Sequence, residues 1–167
     1  MKIIFLDIDG VLVTDRSRRF GRWSVQGPFD LVAVSNLNKL IDATNARVVI
    51  SSAWRTDSSL NMKTVLGRAG VECEIVGQTP VLGGRAFEIA VWLFYHRNRI
   101  DRFVIIDDTR DSILCDRFSD KLVSTTMETG FDKTALCRAQ AILRGEKVSS
   151  IDPGLINGMT TFEWGRQ

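Results

Sequence analysis

Residues 3 to 12 read IIFLDIDGVL, and Asp7 and Asp9 within them are spaced for chemistry. A run of β-formers, Ile3 to Leu6, delivers both carboxylates to the point where a strand should end, and Gly10 lets the chain turn sharply there. In an open α/β sheet that carboxyl edge is where ligands bind. Aspartates at i and i+2 share one face of a strand that stays regular, so both can approach one magnesium ion and one phosphoryl group. One is placed to attack phosphorus and the other to move a proton. The competing reading of such a pair is a strand end that caps the next element or binds solvent.

Two further segments end apolar runs in polar side chains. VVISSAWR, 48 to 55, ends in serines, and FVIIDDTRD, 103 to 111, ends in an acidic pair. With them, DIDGVLV resembles the first motif (DxDGxL) of the haloacid dehalogenase (HAD) superfamily, most of whose members are magnesium-dependent phosphohydrolases working through an aspartyl-phosphate. The other two segments resemble its second and fourth motifs. More specifically, the chain is similar to the HAD-type domain of the Swiss Army Knife RNA-repair proteins. That likeness rests on Ile50-Ser51-Ser52-Ala53-Trp54-Arg55, on Arg85 ahead of Glu88-Ile89 and Trp92-Leu93, on Asp107-Asp108, and on the turn Gly130-Phe131-Asp132. It covers roughly residues 1 to 144, with the motifs in order. The chain departs from the pattern in the final turn, where Phe-Asp replaces Leu-Thr, and in Arg85, where many superfamily members have lysine.

A phosphate monoester dianion repels an attacking carboxylate, so positive charge must be in place first, and Mg²⁺ can provide it. The resemblance implies Asp7 as the nucleophile and Asp9 as general acid and then base. It implies Asp7, the Asp9 carbonyl and Asp108 as magnesium ligands, with Asp107 and Asp111 behind them. Asp111 is open between holding a metal-bound water and capping a helix. Ser51 is expected to bind a phosphoryl oxygen through its hydroxyl and backbone N–H, with Ser52 as the competing register. Arg85 neutralises the phosphoryl charge and holds Asp7, and Lys63 is the runner-up for that role. Arg55 is a substrate candidate, since polynucleotide 3′-phosphatase domains carry an arginine just after the second-motif serine, although the spacing here is longer.

About 20 residues separate the first motif from the next helix, and about 30 separate Arg55 from Arg85, so neither gap holds a large cap domain. In the first gap Arg16, Arg18, Arg19 and Arg22 alternate with Phe20 and Trp23. Basic side chains interleaved with aromatics suit a single-stranded nucleic-acid end, with phosphates held by charge and bases stacked on rings. The alternative is a solvated, charge-rich hairpin. A net charge of only +2 weakens any case for extensive nucleic-acid binding. The expectation is therefore a phosphatase removing a 3′ phosphate from a polynucleotide in RNA or DNA repair, with a kinase or ligase as partner. A phosphatase of nucleotides or other small phosphoesters is the alternative, and a non-enzymatic end-binding domain a third.

The positioning elements follow from periodicity. Strands are predicted at 2 to 7, 47 to 51, 72 to 76, 103 to 107 and 121 to 124. Helices are predicted at about 33 to 44, 58 to 69, 85 to 97 and 132 to 143, with an irregular or hairpin flap at 11 to 29. Alternating strands and helices imply a three-layer α/β/α sandwich on a parallel, Rossmann-like sheet. One domain spans 1 to 144, and 145 to 167 is a tail that docks on the body or stays loose. With 44% apolar residues among 167, the core needs no staples. The absence of a leader pattern ahead of the first strand and of any long apolar run points to the cytoplasm. Cys73, Cys115 and Cys137 are expected to be reduced, and the single His96 to be a surface or capping residue.

Overall fold

The computed structural model describes residues 1 to 20, 27 to 109 and 111 to 146, the Phe20 side chain excepted. The strands are β1 (Lys2–Leu6), β2 (Arg47–Ile50), β3 (Ile75–Gln78), β4 (Arg102–Asp107) and β5 (Leu122–Ser124). The helices are α1 (Asp15–Phe20), α2 (Leu31–Thr44), α3 (Met62–Arg68), α4 (Arg85–His96), α5 (Ser112–Arg117) and α6 (Lys133–Arg144).

All five strands run parallel in the order β3-β2-β1-β4-β5, which places β1 at the centre. A central parallel strand is covered on both faces, and this is why Ile3 to Leu6 is an unbroken apolar run rather than an alternating one. Ile4 and Leu6 pack with Val48, Ile50, Val104 and Ile106 under α2, α3 and α6. Ile3 and Phe5 pack with Val49 and Ile105 under α4 and α5. The result is the expected α/β/α sandwich without a large cap among the described residues.

Three local features differ from the periodicity. The flap is not a hairpin in its described part, because Asp15–Phe20 is helical. The short α5 follows β4, too brief to leave a repeat in the sequence. The third strand lies at Ile75–Gln78 rather than 72 to 76, with a register shift between Val48 and Val49 where it meets β2.

The chain leaves β1 to build β2 and β3 on one side and then crosses to β4 and β5 on the other. The switch point therefore falls between β1 and β4, where an open α/β sheet forms its ligand crevice. Parallel hydrogen bonding continues one residue past the strands: Asp7 N–H donates to Ile106 O (3.0 Å), Ser51 N–H to Leu6 O (3.0 Å), Thr79 N–H to Ile50 O (3.0 Å) and Thr125 N–H to Asp107 O (3.1 Å). These four residues form a row along the carboxyl edge.

Candidate active site

The first turn brings β1 against the end of β4. Gly10 takes φ 68°, a conformation that favours glycine, and its N–H donates to Val13 O at 2.8 Å. A Cβ at Gly10 would collide with the Asp108 carboxylate, so the glycine is required by close approach as well as by dihedral. Residues far apart in the sequence meet there.

Asp7, Asp107 and Asp108 each offer a carboxylate oxygen within 4.8 Å of the others. Asp7 and Asp107 are buried and Asp108 is half-buried. One cation serves the cluster among the described residues: Arg85 Nη1 donates to Asp107 Oδ2 at 2.6 Å and to Ser51 Oγ at 3.4 Å, and lies 3.6 Å from Asp7 Oδ1. Arg85 is the first residue of α4, held at the sheet edge by the burial of Ala86, Ile89 and Trp92 behind it. Burial, and then the charge of Asp7, push the Asp107 carboxyl well above the ordinary carboxylate range against the pull of Arg85. Burial, followed by Asp7 and Asp9, pushes Asp108 up as well. Three crowded carboxylates with too little positive charge and only hard oxygen donors fit a divalent cation such as magnesium. Asp107, expected behind the ligands, stands inside the carboxylate cluster with Asp7 and Asp108.

Asp9 stands apart from the three. Arg18 Nη2 donates to its Oδ1 at 2.6 Å and Trp54 Nε1 to its Oδ2 at 2.8 Å. Sequence reasoning quoted Trp54 only as part of a motif, and its contact with a residue 45 positions away leaves no sequence signal. Ser51 is fully buried with its hydroxyl at Arg85, but its N–H is consumed by Leu6 O and is not available to a phosphoryl oxygen. Ser52 caps the 3₁₀ turn Ala53–Thr56, its Oγ accepting from Trp54 N–H at 3.3 Å.

Arg55, expected at the substrate, is spent inside the protein. Its side chain is 4% exposed and ion-paired with Glu88 at 2.6 Å, and it donates to the carbonyls of Ser51, Ser52, Thr79 and Pro80. It fastens the loops after β2 and β3 to α4. Asp111 caps α5, its Oδ1 accepting from Ile113 N–H at 2.9 Å. Lys63 lies exposed on α3.

In the flap, Arg16 pairs with Asp30 at 2.6 Å and Arg18 with Asp9. Arg19 is exposed and has no ion pair among the described residues. Arg22, Trp23, the Phe20 side chain and the tail beyond 146 lie outside the described residues. A cleft of about 630 Å³ beside Asp108 is lined by Asp15, Thr109, Thr125 and Glu128, among others. A second of about 410 Å³, lined by Asp15, Arg16, Arg19 and Glu128, adjoins it. Together they lead from the carboxylate cluster to the flap.

A parallel sheet with an aspartate at the end of its first strand, an acidic pair at the end of the fourth and a guanidinium between them is the arrangement of a HAD-type fold. Residues 3–136 match the family described as the HAD domain in Swiss Army Knife RNA repair proteins. The chain belongs to that family, and membership carries HAD-type phosphohydrolase chemistry and an association with RNA repair. Searches of curated proteins and of solved structures return no match. No helix among the described residues is long and apolar enough to cross a membrane.

Proposed function

We propose that this chain is a magnesium-dependent phosphomonoesterase that forms an aspartyl-phosphate on Asp7 and removes a terminal 3′ phosphate from a polynucleotide. The observation that carries the reading is the Arg85 guanidinium, which faces Asp7, Ser51 and Asp107 at once. Asp7, Asp108 and the Asp9 carbonyl would hold the magnesium ion, which supplies positive charge at the phosphoryl group when bound. Arg85 draws the phosphoryl oxygens toward Asp7 and stabilises charge on them as it redistributes. The Ser51 hydroxyl, set beside Arg85, contributes a further hydrogen bond. The Asp7 oxygen forms its bond to phosphorus as the ester P–O bond breaks, and Asp9 gives a proton to the departing alkoxide. Asp9 then takes a proton from the water whose oxygen displaces Asp7 from phosphorus.

Family membership and the lack of a large cap among the described residues support a macromolecular end as substrate, with Arg19 of the flap as its contact. A kinase or ligase acting on the same end is the partner class this reading calls for, and it goes with a cytoplasmic location. A small phosphoester is the second reading. It is favoured by the engagement of Arg16 and Arg18 with protein carboxylates and by Asp15 and Glu128 in the clefts.

The test is phosphate release, with magnesium present, from matched RNA and DNA oligonucleotides phosphorylated at the 3′ or the 5′ end, and from mononucleotides. The highest kcat/KM is expected on a 3′ phosphate. Preference for mononucleotides would transfer the conclusion to the small-phosphoester reading.

A further inference from the structure

Both oxygens of Asp9 already have a donor, and the two donors differ in kind. The Trp54 indole is half-buried, packs edge-on against Phe29 with centroids 5.9 Å apart, and rides on the 3₁₀ turn that Ser52 caps. The next residue, Arg55, bolts that turn to the carbonyls of Thr79 and Pro80. Arg18 is 54% exposed and sits on a six-residue helix. One donor is therefore fixed by packing and the other is free to swing away.

We propose that Trp54 is a positioning residue for Asp9, holding Oδ2 so that Oδ1 alone faces the leaving oxygen, and that Arg18 occupies Oδ1 until substrate displaces it. This rests on the phosphatase reading above. An indole N–H donates and never accepts, so the oxygen it holds stays an acceptor throughout the reaction. A guanidinium also only donates and keeps its charge, so Oδ1 cannot pass a proton while Arg18 is on it. An incoming phosphate offers Arg18 another anionic partner. In the first step the Asp7–phosphorus bond forms and the ester P–O bond breaks. The electron pair leaves on the alkoxide oxygen, and the proton that Asp9 Oδ1 takes up from solvent water once Arg18 has left moves to it. Asp9 is then anionic, with Oδ2 still on Trp54.

The test compares two leaving groups by kcat/KM, which reports phosphoryl transfer to Asp7 and not the later hydrolysis. A 3′-phosphorylated oligonucleotide expels an alkoxide that needs a proton, whereas p-nitrophenyl phosphate expels a stable phenolate that does not. Trp54→Phe should lower the oligonucleotide-to-aryl ratio by about tenfold or more, within the range of general acid catalysis. Asp9→Asn should lower it further. Because the ring also packs on Phe29, a second variant carries the benzothiophene analogue of tryptophan, which keeps the bicyclic shape and lacks the N–H. The same fall in ratio is expected. Arg18→Gln should raise KM for the oligonucleotide without that fall. Equal losses on both substrates for the Trp54 variants, or no loss on either, overturn the proposal. An unchanged ratio in Asp9→Asn overturns the acid role of Asp9 itself, and so separates failure of the underlying reading from failure of the positioning role.

Discussion

Asp7 and Asp9 sit two residues apart and differ in what each loses as an amide. Asparagine at position 7 has no anionic oxygen to bond phosphorus, so Asp7→Asn should abolish turnover in a steady-state assay. Asparagine at position 9 removes proton transfer, along with the ion pair to Arg18, and Asp9→Asn should lose on the order of 10² to 10⁴ in rate. Near wild-type activity in Asp7→Asn would remove the covalent intermediate from the mechanism. Two arginines make a similar contrast. Arg85 faces Asp7, Ser51 and Asp107, and on the proposed mechanism Arg85→Ala should cost about 10² to 10³ in kcat, the scale of a lost charge-stabilising donor. Arg55 is buried against Glu88, so Arg55→Ala should cost about 3 to 5 kcal/mol in urea unfolding by stranding a carboxylate. From sequence Arg85 was expected at the phosphoryl group and Arg55 at the substrate. The partner that decides the role of Arg55 lies 33 residues away, and burial at that distance has no local signature.

At the scale of elements, Asp30 joins the flap to the body. Its Oδ1 accepts from Val32 N–H at 3.0 Å and caps α2, while its Oδ2 accepts from Thr14 Oγ1 at 2.8 Å and Arg16 Nη2 at 2.6 Å. Burial opposes ionisation of this carboxyl. The hydrogen bonds from Arg16, Thr14 and Val32 outweigh it and hold the group below its ordinary value of 3.8. A carboxyl lowered on folding contributes stability that is fully present above its unfolded value and fades as pH falls through the folded one. Asp30→Asn, which still caps a helix, should therefore flatten the acid limb of a stability-versus-pH curve measured by thermal unfolding. An acid limb as steep as that of the unaltered protein would mean that the charge of Asp30 carries no such linkage. The strands that carry Asp7, Ser51 and Asp107 were legible because buried parallel strands are continuous apolar runs. Helices α1 and α5 were not, since six residues make less than two turns and leave no repeat to read.

For the whole molecule, the site draws on the ends of β1, β2 and β4 and on α4, and no large cap closes over it among the described residues. Chelation should stop turnover and added Mg²⁺ restore it, and Asp108→Ala should raise the magnesium requirement in a titration. Full activity in excess chelator would exclude a metal role for the acidic cluster. If the flap meets a polynucleotide, Arg19→Ala should raise KM for a 3′-phosphorylated oligonucleotide and reduce the steepness of its salt dependence, with p-nitrophenyl phosphate as the control. The sequence was informative about this scale only through gap lengths, which bound the size of a cap but carry no information on what pairs with each flap arginine.

The central place of β1 also bears on how the protein is made. Its two neighbours, β2 and β4, arrive 44 and 100 residues later in the chain, by the register Ile3 to Arg47 and Lys2 to Arg102. A ribosome that has not yet released β4 holds a partial sheet with one edge of Ile3 to Leu6 bare, the kind of unpaired apolar edge that invites association between chains. Chains cut before residue 102 should aggregate, while those extending through α6 should stay monodisperse in sedimentation. Asp7, at the end of that strand, is thus made before either neighbouring strand, and Asp107 and Asp108 come only with β4, so the carboxylate cluster cannot assemble on a chain that stops short of it.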